Sequence, residues 1–188
     1  MSKEKTRDWS RAPPAQLEAR YAPLHNISMS IVAIGMVGAA ILYFATNSAN
    51  APTLSLNDPR FVMFGLLTVA MAFYGWLGVT RFLNREPQVV IDSEGIALGF
   101  GRDRRFPWDA VQWVRLRRLA LRPQLQIGLV PEAFAAADLR LSMWNLDDAL
   151  KPIRGVPAAV LVRDNGLDKS AAAMLDAVRS FRPNLVRA

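Results

Sequence analysis

The sequence predicts an α+β membrane protein: a transmembrane helical hairpin followed by a small antiparallel β domain, barrel or sandwich, closed by a C-terminal helix. Three observations carry this. Two uncharged apolar stretches of about twenty residues lie close together in the first half of the chain. Beyond Thr80 the chain changes to short alternating runs broken by turn residues. A helical stripe of Met174, Leu175, Val178 and Phe181 then precedes Pro183, which ends it.

Residues 1–26 are polar and interrupted by Pro13, Pro14 and Pro23. They read as a cytoplasmic tail with at most a short helical turn around Ala15 to Tyr21. A secretory signal fits poorly, because the apolar run starts too late and is too long. The hairpin occupies 27–80. Its first span, Ile27 to Thr46, and its second, Phe61 to Thr80, are each long enough to cross a hydrocarbon core of about 30 Å. Asn47 to Arg60 connects them. Tyr43, Tyr74 and Trp76 fall near span ends, where amphipathic rings favour the interface.

Charge sets the orientation. Five of the 23 Lys and Arg precede the first span, Arg60 alone lies in the connection, and seventeen follow Thr80. The excess flanks the outer sides of the hairpin, so both termini are expected in the cytoplasm of a multi-pass inner-membrane protein. Gly35 with Ala39, Thr68 with Ala72, and Gly75 with Gly78 have the spacing of close helix contacts. They suit packing within the hairpin, a homodimer or a foreign membrane partner equally.

The β domain is expected over 85–183. "PQVVIDSEGIALGF" is an apolar run, an Asp92-Ser93-Glu94-Gly95 turn and a second run, which is a hairpin signature. In "RRFPWDAVQWVRLRR" the parity of Phe106 and Trp108 differs from that of Val111 and Trp113. An irregular step near Asp109-Ala110 would reset it, placing Val114 and Leu116 inward and Trp113, Arg115 and Arg117 outward. "LRPQLQIGLV" alternates Leu125, Ile127 and Leu129 against Gln124, Gln126 and Gly128. "DLRLSMW" alternates as well, Asn145 to Ile153 reads as a loop or short helix, and "AAVLVRD" gives one more strand. Asp168 or Ser170 caps the final helix.

Pro87 with its apolar run, Gly95-Ile96, and the Pro107-Trp108-Asp109-x-Val111 step after a basic loop resemble the small bacterial membrane proteins that carry a pleckstrin-homology-like domain. The resemblance covers roughly Thr80 to Pro183. It implies two packed, near-orthogonal antiparallel sheets with a C-terminal helix, and it implies no catalytic residues. Eukaryotic relatives bind phosphoinositides through a basic loop between the first two strands. Here that loop, Asp92 to Gly95, is acidic, and the arginines fall one loop later.

Arg104, Arg105, Trp113, Arg115, Arg117 and Arg118 are the candidate binding residues. Three readings are open: a solvated strand edge, contact with anionic lipid headgroups, and nucleic-acid binding, which suits a membrane-tethered module least. No cysteine and one histidine, His25, make a poor metal or haem site within one chain. Neither a nucleophile elbow nor a phosphate loop is present. The expectation is therefore a non-enzymatic protein without cofactors, displaying its domain at the membrane surface for protein or anionic-lipid binding. The alternative is an accessory or assembly subunit of a larger respiratory or photosynthetic membrane complex.

Overall fold

The structure, a computed structural model, describes residues 16–46, 52–53, 55–99, 104–119, 122–137, 150–153, 155–164 and 166–187. These fall into two compact units, one within Tyr21–Arg85 and one drawn from Met1–Arg20 and Glu86–Ala188.

The first unit is a pair of helices, α1 (Pro23–Thr46) and α2 (Pro59–Leu83). Each opens on a proline, whose missing N–H costs nothing in the first turn. Asp58 caps α2, accepting from the Arg60 amide at 2.9 Å. Each helix is about 36 Å long at 1.5 Å per residue, so both are long and apolar enough to cross a membrane. Only 11% of the most apolar window of each is buried, whereas a soluble core helix would be mostly enclosed. Ile31, Leu42, Leu66 and Trp76 are all more than 60% exposed.

The helices meet along one seam. Buried or half-buried residues recur at 26, 30, 33, 37, 40 and 44 on α1, and at 64, 68, 71, 75, 78 and 82 on α2. The alternating steps of four and three keep one face turned toward the partner. Ser30 Oγ donates to the Gly75 carbonyl at 3.0 Å. A side chain at Gly78 would collide with Ser30 Oγ and the Asn26 carbonyl. At the other end Phe44 and Phe64 meet edge to face at 4.7 Å. Of the three small-residue pairs read from the sequence, Gly75 and Gly78 lie in this seam. Gly35, Ala39 and Ala72 are exposed, and Gly35 has open space around it.

The second unit contains two sheets. Sheet 1 has the order β1-β2-β3-β4, all antiparallel: β1 (Leu17–Ala19), β2 (Val89–Ile91), β3 (Gly95–Leu98) and β4 (Arg104–Pro107). The presence of β1 corrects the reading of residues 15–21 as tail or helical turn. Leu17, Glu18 and Ala19 pair with Ile91, Val90 and Val89, and Ala19 is wholly buried. Three residues carry no visible alternation, so only their partner defines them. The helical pair is thus an insertion between neighbouring strands of one sheet.

The Asp92–Gly95 turn forms as its chemistry demands. Asp92 Oδ1 accepts from the amides of Glu94 and Gly95 at 2.8 and 3.0 Å. Gly95 is required because a Cβ there would strike the Phe106 carbonyl. The irregular step is a 3₁₀ turn, Trp108–Ala110, followed by a register shift between Val111 and Trp113. It hands the chain to sheet 2, of order β7-β8-β6-β5-β9. These strands are β5 (Val111–Leu119), β6 (Arg122–Leu129), β7 (Leu150–Pro152), β8 (Ala159–Val162) and β9 (Val186–Arg187). A short helix, α3 (Pro131–Ala136), follows β6. The "DLRLSMW" strand lies outside the described residues. Within the stretch read as loop or helix, residues 150–152 are instead an edge strand against β8. The domain also continues past Pro183, because β9 joins β5 in parallel and makes the sheet mixed.

The final helix, α4 (Ala171–Phe181), is capped twice. Ser170 Oγ accepts from the Ala173 amide at 3.2 Å, and Asp164 Oδ2 from the Ala171 amide at 3.0 Å. Met174, Leu175 and Val178 are buried and share one core with Ile91, Ile96 and Leu98 of sheet 1 and Val114, Leu125, Ile127 and Val162 of sheet 2. Among the described residues no strand pairing joins the two sheets, so they share a core without closing into a barrel.

Candidate functional site

The six candidate residues do not occupy one sheet. Arg104 and Arg105 lie on β4, an edge of sheet 1, whereas Trp113, Arg115, Arg117 and Arg118 lie on β5, flanked by β6 and β9. β9 covers β5 at Val114 and Arg115 only, so Arg115 does not stand on a bare edge, whereas Arg117 and Arg118 lie beyond that pairing.

Arg105 is held by the acidic turn. It pairs with Asp92 at 3.2 Å and with Glu94. Its cation is matched within the fold, which removes it from the set available to an outside anion. Arg104 stands on the same strand, half-buried, opposite Leu98. The acidic loop that the sequence showed is thus the counter-charge of the next basic strand. Trp108 pins the same loop from inside. Its Nε1 donates to the carbonyls of Asp92 and Ser93 at 3.1 Å each, and its ring lies 6.3 Å from that of Phe181 on α4. The Pro-Trp-Asp step is accordingly a structural joint between turn, core and final helix.

On β5 the side chains alternate once the register has shifted. Val114 is wholly buried and Leu116 half-buried toward the core, while Arg117 is exposed. Trp113 stands opposite Gly128 and Arg115 opposite Gln126. The Trp113 ring lies so close over Gly128 that any side chain there would collide with it. Arg115 places its guanidinium 4.9 Å from the Trp113 ring centroid and donates from Nε to Gln126 Oε1 at 2.8 Å. Gln126, on the face expected to be wet, is consequently 3% exposed. The Arg118 side chain lies outside the described ones.

The topology adds residues that the linear sequence kept apart. Arg187 of β9 is in register with Arg115. Arg163 follows the buried Val162 of β8, which pairs with Leu125, and so falls beside Gln124 on the outward side. Arg163 Nε and Gln124 Oε1 are both enclosed and lack a hydrogen-bond partner among the described residues. A periodicity analysis alone could not find these residues, because their grouping depends on which strands pair.

Charge is sorted across the unit. Arg20 pairs with Glu18 at 2.6 Å, Arg105 with Asp92 and Glu94, and Arg179 with Asp176 at 2.9 Å. Among the described residues no ion pair involves Arg115, Arg117, Arg163 or Arg187.

The helical unit offers a different feature, an apolar groove of about 470 Å³ lined by His25, Met29, Val32, Met36, Met71 and Tyr74. Its walls are suited to packing, and among the described residues no group of His, Cys, Asp and Glu is placed to hold a metal ion.

Comparison with family models, with curated proteins and with solved structures finds no match.

Proposed function

We propose that the chain is a non-enzymatic, multi-pass protein of a bacterial inner membrane, whose hairpin holds a pleckstrin-homology-like domain at the cytoplasmic surface for protein or anionic-lipid binding. The observation that carries this reading is the exposure of two long apolar helices that are inserted between adjacent strands of one sheet. Leaving that much apolar surface in water is unfavourable, and hydrocarbon relieves it. Because the insertion starts and ends at the same sheet, an even number of crossings keeps the whole domain on one side. The Lys and Arg excess outside the hairpin favours the cytoplasmic side. Two sheets sharing a core with a C-terminal helix support the pleckstrin-homology-like reading. The strand contributed from before the hairpin and the parallel β9 are its departures from that pattern.

The natural absence of cysteine makes the test direct. Asn57→Cys, in the connection, should react with a membrane-impermeant maleimide on spheroplasts. Ser180→Cys, on α4, should react only after lysis. Equal labelling of both on spheroplasts, or a chain recovered in the soluble fraction without detergent, would refute the reading.

An accessory or assembly role in a larger respiratory or photosynthetic complex is the second reading. It draws on Gly35, Gly38 and Gly65, which face open space on the helices and would let a foreign helix approach closely. Comigration with a large complex on a native gel after gentle extraction would favour it.

A further inference from the structure

We infer that the outer face of sheet 2 is a docking surface for the anionic phospholipid headgroups of the membrane that holds the hairpin; this rests on the anchored-module reading and names the ligand of its basic face. The five strands of this sheet contain no Asp or Glu, and Arg115, Arg117 and Arg187 stand on this face, Arg187 in register with Arg115. Elsewhere in the unit Arg20, Arg105 and Arg179 have carboxylate partners. Among the described residues these three arginines have no carboxylate partner, and cations gathered in this way call for an anion from outside. Arg115 is prepared for one. Trp113 supports its plane and Gln126 takes its Nε hydrogen, which leaves both terminal nitrogens to fork onto phosphate oxygens.

Two observations select lipid over other polyanions. Trp113 is already engaged with Gly128 and Arg115, which argues against base stacking. Only residues 20–22 join β1 to α1, and only 84–88 join α2 to β2. With the helices in a bilayer, the shorter connection spans on the order of 10 Å when extended, so headgroups are the nearest concentrated source of phosphate.

The full chain would be placed in nanodiscs of phosphatidylcholine alone, or with about one third phosphatidylglycerol, and treated with phenylglyoxal. Modification of each arginine would be followed by mass spectrometry. Arg115, Arg117 and Arg187 should react about fivefold more slowly in the anionic discs, and the difference should shrink in high salt. Arg105, held by Asp92 and Glu94, is the internal reference and should react alike in both. Equal rates for the three arginines would overturn the inference while leaving the anchor intact. Equal rates that fall on adding a Glu-rich peptide or a single-stranded oligonucleotide would overturn it in favour of that partner. A chain that fails to enter the discs would overturn both the inference and the reading beneath it.

Discussion

Arg20 and Asp168 exchange two hydrogen bonds across the domain: the Arg20 amide donates to Asp168 Oδ1 at 2.8 Å, and the Asp168 amide donates to the Arg20 carbonyl at 2.9 Å. They fasten the end of β1 to the segment before α4. Asp168→Ala should cost about 1 kcal/mol, the worth of one such bond, because the backbone half survives. A drop in the unfolding midpoint of the detergent-solubilised chain would report it. An unchanged midpoint would mean that the carboxylate half of the clasp contributes nothing.

The hairpin seam predicts a contrast between two glycines. Gly78→Leu drives a side chain into Ser30 and the Asn26 carbonyl, an overpacking cost of about 1–3 kcal/mol. Gly35→Leu enters open space and should leave the hairpin unchanged. Thermal melts of helicity in detergent should separate them, and equal effects would place the helix contact elsewhere.

Trp108 joins three parts of the domain and should be sensitive in two steps. Trp108→Phe keeps the ring but strands the Asp92 and Ser93 carbonyls, a loss of about 1–2 kcal/mol. Trp108→Ala also leaves a void beside Phe181 and should cost about 3–5 kcal/mol. Denaturant unfolding followed by near-UV dichroism measures both; an unchanged Trp108→Phe would deny the indole hydrogen bonds a role, and equal losses for the two variants would deny the ring packing one.

Asp58 gives the connection a dependence on acid. Desolvation raises its carboxyl, but hydrogen bonds from Arg60 and Thr53 and the charge of Arg60 outweigh this and hold it below its ordinary value. The depressed value belongs to the folded form, so the cap's contribution is present at neutral pH and down to about pH 4. It is lost as pH falls further, through the folded value. The Arg60 amide resonance should titrate with a midpoint below about 4, and Asp58→Ala should abolish that titration. A midpoint at or above the ordinary carboxylate value would contradict the cap.

Local chemistry made much of this fold legible. Asp92 to Gly95 announced a turn through side-chain and glycine geometry that needs no distant partner. The parity clash between Phe106 and Val111 announced the irregular step, and of the two caps read for the last helix, Asp168 or Ser170, Ser170 is the one that starts it. What stayed hidden depends on residues far apart in the chain. Leu17 to Ala19 become a strand only against Val89 to Ile91. Arg105 resembled its basic neighbours until the loop carboxylates were seen to hold it. Arg187 joined Arg115 only because the chain end returns in parallel. Glycine spacing was legible in the two long apolar helices, yet it could not tell Gly78, which touches the partner helix, from Gly35, which does not.

The placement of the helices between β1 and β2 also constrains how the molecule can be made. Leu17 to Ala19 leave the ribosome about seventy residues before Val89, and during that interval the strand has no neighbour. Sheet 1 can be completed only after both helices have been synthesised, so the helical pair is made before the domain can reach its final form. A nascent chain stalled between the two helices would carry an orphaned strand, a ready target for quality control.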